Sequence, residues 1–294
     1  MTDETSPLAS PPPAQPEIYA PGYDSAFTHQ LHVRRTAQQQ GHWFLPYLQP
    51  GMALLDCGCA TGSITVGLAA AVAPGQVIGV DRSVAEIERA RARAATTGVT
   101  NLRFAVGDIY QLDFPDNHVD AIFCHNVLEH VGDPLRALRE MHRVLKVGGV
   151  IGVRDLDMGG ILVAALDERL KRFFAVFEAD YAGVGGHPRL GRELRGLVTA
   201  AGFAVIEASA SYDYFSTAEQ LQLVSHIGSS RVKEAEFVER VLARGLTTTE
   251  ELAAMHDAWL AWPTRPDAFL ANSHGEVVGR KKSSNSAALK SISG

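Results

Sequence analysis

Three short apolar runs of the chain each lead into an aspartate. Asp56 and Asp81 each close such a run, and Asp108 follows a third run after one glycine. Runs of this kind are typical of buried parallel strands, whose carboxyl ends meet at one edge of a sheet. A carboxylate at that edge can accept hydrogen bonds from the hydroxyl, amine or ammonium groups of a ligand. Singly, each acid is more commonly a solvated loop residue, but the three together predict one ligand site.

A loop of small residues follows Asp56 and precedes a predicted helix that begins near Gly62 or Ser63. Gly58 and Gly62 permit a positive φ or a close approach to a ligand, and the first turn of a helix leaves backbone N–H groups unpaired. The strand, the tight turn and the helix together predict a nucleotide-type binding crevice. Dinucleotide-binding loops carry glycine where this chain has Ala60 and Ser63, and phosphate-binding loops carry a lysine that is absent after Gly62. The sequence therefore disfavours a pyrophosphate ligand.

The pattern Asp56-x-Gly58-x-Ala60-x-Gly62 resembles motif I, ordinarily Asp-x-Gly-x-Gly-x-Gly, of the class I S-adenosylmethionine-dependent methyltransferases. The resemblance covers about residues 18–156 and implies an α/β fold. That fold is a Rossmann-like, doubly wound, mostly parallel sheet of about seven strands, with the last strand antiparallel and with helical lid elements at both ends of the chain. Ala60 replaces one glycine of the motif, which is tolerated only if the position does not need a glycine-only conformation. For motif I alone, a glycine-rich strand–helix turn of an unrelated α/β protein is the alternative.

The resemblance also implies S-adenosyl-L-methionine as cofactor, S-adenosyl-L-homocysteine as product, and no metal. Asp81 corresponds to the acid that binds the ribose hydroxyls, Asp108 to the acid that binds the adenine amine, and Ile109 to the residue that packs on the adenine ring. The residues assigned to the cofactor are Arg35, Asp56, Gly58, Cys59, Ala60, Gly62, Asp81, Arg82, Asp108, Ile109 and Asn126.

The fourth predicted strand, residues 119–124, runs into the segment His125-Asn126-Val127-Leu128-Glu129-His130. This segment resembles the post-strand motif of small-molecule methyltransferases, particularly those of the quinone-biosynthesis type. It lacks the Asp/Asn-Pro-Pro-Tyr signature of enzymes that methylate amino groups of nucleic-acid bases.

The predicted chemistry needs little besides positioning. A sulfonium methyl group is already electrophilic, so the protein mainly has to hold an O, N or S nucleophile in line with it and exclude water. If the nucleophile must lose a proton, a histidine is suited to accept it near neutral pH. We predict His125 as this base and His29 as a second candidate, whereas a buried ring bonded to backbone explains His130 at least as well.

The segment before the first strand, residues 18–48, is dense in aromatic and basic side chains. Trp43 is best explained as part of a helix that covers the sheet. In related methyltransferases this segment closes over the active site, so that Tyr23, His29 and Arg35 are candidates for a lid. The residues predicted to contact the substrate are Tyr23, His29, Asn126, Asp155 and His187.

Beyond residue 156 the pattern predicts a helix over 161–181, a glycine-rich loop over 183–188, a helix over 190–200, a strand over 203–214, a largely helical insertion to residue 262 and an antiparallel closing strand over 269–280. These boundaries give one methyltransferase domain over 18–280, with an N-terminal lid (18–48), a cofactor-binding core (49–156) and helical cap elements (157–202 and 216–262). Residues 1–17 and 281–294 have the composition of disordered tails.

The 294-residue chain has a formal net charge of −6 and a pI near 6.0. A nucleic-acid-binding surface would show a basic stripe, and no apolar run approaches the roughly 18 residues of a membrane span. Because a signal-peptide pattern is also missing, a cytoplasmic location is the default expectation. The three cysteines lack the spacing of a zinc site and are expected to be reduced. The expected partner is a small-molecule acceptor, with neither nucleic acid nor membrane, and the oligomeric state stays open between monomer and homodimer.

Two other functions fit the same cofactor pattern. A cofactor-binding scaffold or regulatory protein with a degraded site is supported by Ala60 only, because the three acids are present. Another transferase of the same fold, such as an aminopropyl transferase, would favour an acid-rich polyamine pocket that the sequence does not identify.

Overall fold

The computed structural model describes residues 33–283, and within them eight strands form one sheet. The strands are β1 (Leu54–Cys57), β2 (Val77–Asp81), β3 (Leu102–Val106), β4 (Val119–His125), β5 (Leu145–Leu156), β6 (Leu162–Ala164), β7 (Phe203–Phe215) and β8 (Phe269–Lys281). Their order is β3-β2-β1-β4-β5-β8-β6, and β7 also pairs with β8.

Strands β1 to β5 run parallel to one another, whereas β8 is antiparallel to β5, β6 and β7. The predicted Rossmann-like, mostly parallel sheet with an antiparallel last strand is thereby confirmed. The parallel arrangement brings the carboxyl ends of β1, β2 and β4 to one edge, where a ligand crevice forms in folds of this class.

The helices are α1 (Ala37–Gln40), α2 (Ser63–Val72), α3 (Val84–Thr97), α4 (Pro134–Val144), α5 (Glu168–Gly183), α6 (Leu194–Ala200), α7 (Ala218–Arg231), α8 (Ala235–Ala243) and α9 (Thr249–Ala261). They cover both faces of the sheet, as the apolar parallel strands require. On one face, Phe44, which precedes β1, and Leu68 of α2 pack with Phe123 of β4. On the other face, Leu138 of α4 and Leu194 of α6 belong to the core that includes β5.

A second apolar core holds α5 and α7 to α9 together, and we call these four helices the cap. Phe173 of α5 and Trp259 of α9 meet edge to face with ring centroids 5.1 Å apart. Phe237 of α8 and Val224 of α7 complete the same buried cluster. The largely helical insertion predicted up to residue 262 is therefore present, and it folds around its own apolar centre.

A helix was predicted over 161–181, and its predicted start is wrong. Leu162–Ala164 instead forms the short strand β6, which pairs with β8 and raises the strand number above the predicted seven. Helix α5 begins at Glu168, because the Asp167 side chain accepts hydrogen bonds from the backbone N–H groups of Arg169 and Leu170, both at 3.0 Å. Apolar spacing alone suggested a longer helix, since Leu162 falls on the helical period although it lies exposed on a strand.

The closing strand β8 continues through Lys281, one residue beyond the predicted boundary. The ammonium group of Lys281 donates to the backbone oxygens of His142 at 2.7 Å and Leu145 at 2.8 Å, and these bonds anchor this end of the strand. The tail predicted over 1–17 lies outside the described residues, as do residues 284–294 of the tail predicted over 281–294, whose first residue, Lys281, belongs to β8. Among residues 33–283, no helix is both long enough and apolar enough to cross a membrane.

Candidate active site

A cavity of about 850 Å³ opens at the carboxyl ends of β1, β2 and β4. Its lining includes the residues that the sequence assigned to a cofactor: Arg35, Asp56, Gly58, Cys59, Ala60, Asp81, Arg82, Asp108, Ile109 and Asn126. Gly62, also in that set, lies outside the lining and ends the loop as the N-cap of α2. His125, the predicted base, lies in the same wall. The fold therefore gathers residues that are far apart in sequence around one space.

Asp81, at the end of β2, is held by the loop that follows β1. One carboxylate oxygen accepts from the backbone N–H of Ala60 at 3.0 Å and the other from that of Ser83 at 2.9 Å. Burial raises the pKa of Asp81, although these two N–H groups act in the opposite direction. Since a carboxylate offers about four lone-pair sites, each oxygen retains capacity for a ligand hydroxyl.

Asp56, at the end of β1, is almost completely buried and also lines the cavity. The hydroxyl of Thr65 donates to it at 2.6 Å. Burial raises the pKa of Asp56 to about 7; the Thr65 bond opposes this shift and the nearby Asp81 adds to it. A cationic ligand group at this wall would favour the charged carboxylate.

The two motif glycines are required by close packing. Gly58 has φ +76°, and a Cβ there would overlap the Val127 side chain in the segment after β4. Gly62 has φ +69°, and a Cβ there would overlap the ring of Phe104. The loop is thus wedged between β3 and the segment after β4, which fixes its position at the cavity wall.

Ala60 occupies a left-handed backbone conformation with φ +44°. Such a conformation costs an L-residue roughly 1–2 kcal/mol, so alanine is accommodated here with strain. Its N–H still donates to Asp81. The replaced glycine therefore leaves the hydrogen bond between the loop and β2 in place.

His125, at the end of β4, contacts a buried arginine. Nη1 of Arg154 lies 2.7 Å from Nε2 of His125 and 2.8 Å from the side-chain oxygen of Gln40. The guanidinium also bonds Asp213 at 2.9 Å and Glu276 at 3.1 Å. Burial raises the pKa of Asp213, but Arg154 and other nearby cations outweigh this and hold it below its usual value. Strands β4, β5, β7 and β8 and helix α1 thus meet in one polar cluster beside the cavity.

Asn126 follows His125 and takes a positive φ of 53°, a conformation that asparagine tolerates better than most residues. It lines the cavity. Its side-chain oxygen is buried and has no hydrogen-bond partner among residues 33–283. A buried acceptor without a partner is costly unless a ligand or water supplies the donor, so this atom indicates a polar ligand contact.

Asp155 does not occupy the position that the sequence suggested. It is fully buried, outside the lining of the cavity, and accepts from the backbone N–H groups of Val127 at 2.9 Å and Glu129 at 3.2 Å. Burial and the neighbouring Glu129 raise the pKa of Asp155 well above its usual range. The segment between β4 and α4 covers this carboxyl group, because β5 ends beneath that segment, and Asp155 bonds the segment instead of lining the cavity.

Three further residues were predicted to contact the substrate, and none of them is described in the cavity wall. His187 lies outside the lining; its backbone N–H donates to the oxygen of Glu129 at 2.7 Å, and its Nε2 is buried without a partner among the described residues. Tyr23 and His29 lie outside the described residues.

His130 is a cavity residue that the sequence did not assign. Its Nε2 lies 3.2 Å from the carboxylate of Glu129, and its Nδ1 contacts the hydroxyl of Tyr181 on α5. The Glu129-His130 pair was visible in the sequence beside the predicted base. Tyr181 could not be found in that way, because only the folded cap brings it to the segment after β4.

Metal ligation and thiol chemistry have little support at this site. Among the described residues, no group of three or more His, Cys, Asp or Glu side chains is arranged to hold a metal ion. Cys57, Cys59 and Cys124 are buried, and burial raises the pKa of each thiol well above its usual value. Buried neutral thiols behave as small apolar residues.

Residues 48–194 match the family model of a methyltransferase domain. The chain is similar to an uncharacterized methyltransferase of Schizosaccharomyces pombe, with 31% identity over 279 residues that cover 92% of this chain and 99% of the relative. A demethylmenaquinone methyltransferase of Geobacillus stearothermophilus is 38% identical over 104 residues, 35% of this chain and 44% of the relative. Among solved structures, the YcgJ protein of Bacillus subtilis has a TM-score of 0.56 and 19% identity, and the match covers 84% of this chain and 99% of that one.

Proposed function

The chain belongs to the class I S-adenosylmethionine-dependent methyltransferase family, and from this membership we propose that it methylates an O, N or S nucleophile of a small molecule. One observation carries the proposal: the acids at the ends of three neighbouring parallel strands, Asp56, Asp81 and Asp108, line a single cavity. S-adenosyl-L-methionine carries hydroxyl, amine and cationic groups, and carboxylates are suited to bind all of them.

The residues present fit this cofactor. Both oxygens of Asp81 keep lone pairs for the ribose hydroxyls, and the buried oxygen of Asn126 lacks a donor among the described residues. In our proposal Asp81 holds the ribose, Asp108 the adenine amine and Asp56 the cationic end of the methionine part. When bound, the cofactor supplies an electrophilic methyl group on sulfur.

The chain itself has to position the acceptor and keep water out. Phe123, Val127 and Val131 give the cavity an apolar wall, and His125 and Arg35 place polar groups beside it. Holding two reactants in line supplies up to roughly 7–11 kcal/mol of the barrier reduction. A concave wall with a few polar groups suits a small acceptor, and the net charge of −6 disfavours a nucleic-acid substrate.

A non-catalytic cofactor-binding protein is the second candidate, and the strained Ala60 in motif I is the observation that favours it. Both candidates bind S-adenosylmethionine, but only an enzyme produces S-adenosylhomocysteine in proportion to a methylated product.

The test is turnover with S-adenosylmethionine that carries a deuterated methyl group, against a panel of phenols, hydroxyquinones, thiols and amines. We expect at least one panel member to gain the labelled methyl, with an equal amount of S-adenosylhomocysteine. The Asp81→Ala protein should lose this activity, and Asp113→Ala, which removes an exposed acid outside the cavity, should keep it. Cofactor binding without transfer to any compound would favour the non-catalytic candidate.

A further inference from the structure

Helix α3 begins directly after β2, and its first turn holds a second acid close to Asp81. Ser83 is the N-cap of the helix, and its side chain accepts from the backbone N–H of Glu86 at 3.3 Å. Serine at the N-cap and glutamate three positions later form the pattern of a capping box, in which the glutamate side chain bonds back to the N–H of the N-cap residue. Judged by this pattern alone, Glu86 is a residue that caps a helix.

In the structure, Asp81 takes the donor that this return bond needs. The backbone N–H of Ser83 donates to Asp81 at 2.9 Å. The carboxylate of Glu86 is bound instead by Arg89, whose Nη1 lies 2.5 Å from Oε1. The other oxygen of Glu86, Oε2, is buried and has no hydrogen-bond partner among residues 33–283. The acid therefore keeps one oxygen that the protein itself does not use.

Glu86 lies on the face of α3 that packs against the loop after β1. Residues 86 and 93 are about two turns apart and share this face. Nε of Arg93 donates to the backbone oxygen of Thr61, in that loop, at 3.1 Å. Glu86 begins the face, and it lines the cofactor cavity together with Ala60 and Asp81. The second acid is thus placed where the loop, the end of β2 and the cavity meet.

Burial makes the unused oxygen costly. Glu86 is 7% exposed, and a buried acceptor that has lost its water without gaining a donor destabilises the folded protein. Such atoms are rare unless a ligand or an ordered water supplies the donor. Because Glu86 lines the cavity, an occupant of the cavity can supply it. A carboxylate only accepts hydrogen bonds, so a hydroxyl group suits this position.

Asp81 is already engaged on both of its oxygens. One accepts from the backbone N–H of Ala60 at 3.0 Å and the other from that of Ser83 at 2.9 Å. The two neighbouring hydroxyls of a ribose can both bind one carboxylate, or they can be shared between two. An adjacent acid with an oxygen that lacks any donor among the described residues favours sharing.

We propose, on the basis of the proposed function, that Glu86 is a cofactor-binding residue that shares the ribose diol of S-adenosyl-L-methionine with Asp81. One hydroxyl of the ribose donates to Asp81 and the other to Glu86. Arg89 is a positioning residue in this arrangement, because its ion pair with Oε1 holds the carboxylate of Glu86. The helix cap at Ser83 thereby supplies part of the cofactor site.

Affinity for S-adenosylhomocysteine, measured by calorimetric titration, tests the role of Glu86 without any acceptor. Glu86→Met keeps the length of the side chain and removes the acceptor. A hydrogen bond to a charged group corresponds to about 10- to 100-fold in affinity, so Glu86→Met should bind more weakly by a factor in this range. Glu88→Met removes an exposed acid from the same helix, outside the cavity lining, and should bind as the unaltered protein does.

The 2′-deoxy and 3′-deoxy analogues of S-adenosylhomocysteine test the sharing of the diol. Each should bind the unaltered protein about tenfold or more weakly than S-adenosylhomocysteine. In Glu86→Met one analogue should lose nothing further, because the partner of its missing hydroxyl is already gone. In Asp81→Ala the other analogue should behave in this way. The proposal is overturned if both analogues lose as much in Glu86→Met as in the unaltered protein, or if the same analogue is insensitive in both variants.

Urea denaturation without ligand separates binding from helix capping. Replacing a buried carboxylate by an apolar side chain of similar size is often neutral or stabilising, so Glu86→Met should keep or raise the free energy of unfolding. A lower stability together with an unchanged affinity would show that Glu86 serves the helix alone. If the unaltered protein does not bind S-adenosylhomocysteine, the proposed function itself fails, whereas normal binding by both it and Glu86→Met overturns only the role of Glu86.

Discussion

Ala60 is the one residue of the motif in which alanine replaces glycine, and it lies in the loop that lines the cavity. Its backbone is left-handed, yet its N–H keeps the bond to Asp81 that ties the loop to β2. The strain raises the energy of the folded state by roughly 1–2 kcal/mol, while glycine would increase the entropy of the unfolded chain. These two effects on the stability of the protein act in opposite directions.

Because the Ala60 N–H already bonds Asp81, restoring glycine adds no contact, and we expect Ala60→Gly to change the affinity for S-adenosylmethionine by less than tenfold, or about 1.4 kcal/mol. Calorimetric titration of both proteins measures this difference. A gain much larger than tenfold on restoring the glycine would show that the natural site is impaired, and would favour the non-catalytic candidate.

The buried carboxyl of Asp56 makes stability depend on pH. Its pKa of about 7 in the folded protein lies above the ordinary value of 3.8, so the folded state holds a proton that the unfolded state has released. The stabilisation is therefore complete below about pH 4 and is lost as the pH rises toward 7, by an amount on the order of 2–4 kcal/mol.

Asparagine at this position keeps the volume of the side chain and an oxygen for the bond from Thr65. Asp56→Asn should accordingly remove that contribution from the slope of the free energy of unfolding between pH 4 and pH 8, measured by urea denaturation without ligand. Parallel pH curves for the two proteins would show that Asp56 does not titrate in this range.

At the scale of elements, the glycine loop and the segment after β4 are built as one unit. Gly58 combines a positive φ with a close approach to Val127. Gly98, at the end of α3, has φ +69°, but a Cβ added there would meet no atom within 4 Å. Substitutions at Gly58 and Gly98 can therefore be compared to distinguish the cost of backbone strain from the cost of steric overlap.

Gly98→Ala should cost about 1 kcal/mol of stability, because only the left-handed backbone is penalised. Gly58→Ala should cost more and should also weaken S-adenosylhomocysteine binding, because the added methyl group displaces the segment that carries Asn126. Urea denaturation and calorimetry give the two quantities. Equal stability losses together with unchanged affinity would contradict this packing.

The sequence predicts well which acids line the cavity, because Asp56, Asp81 and Asp108 lie at or just after strand ends and parallel pairing brings such ends together. It could not predict the surroundings of His125. Arg154 meets Asp213 and Glu276 only through the antiparallel pairing of β5, β8 and β7, which joins residues far apart in the chain.

The same limit bears on two further features of the site. The contacts of the two histidines come in the same way from distant parts of the chain: Arg154 of β5 lies beside His125, and Tyr181 of α5 contacts His130. Asp155 was expected at the open edge, but the segment after β4 folds over it.

At the scale of the whole molecule, the cavity is tied to both the N-terminal segment and the cap. Gln40 of α1 accepts a hydrogen bond from Arg154, and Tyr181 of α5 contacts His130. We predict that cofactor binding orders these two contacts together, so that residues 33–40 and 180–190 gain protection from hydrogen exchange when S-adenosylhomocysteine is added. Equal protection with and without the ligand would mean a preformed roof or none, and the idea of a closing lid should then be abandoned.

Above all, we propose that the acids at the strand ends bind S-adenosylmethionine, and Asp81 tests this assignment most directly. Calorimetric titration of S-adenosylhomocysteine into the unaltered protein, Asp81→Ala and Asp113→Ala compares a cavity acid with an exposed acid. Loss of a charge-assisted hydrogen bond costs about 1.5–3 kcal/mol, so Asp81→Ala should bind at least tenfold more weakly, while Asp113→Ala should bind as the unaltered protein does. Unchanged affinity of a folded Asp81→Ala protein would contradict the assignment of the cavity to the cofactor.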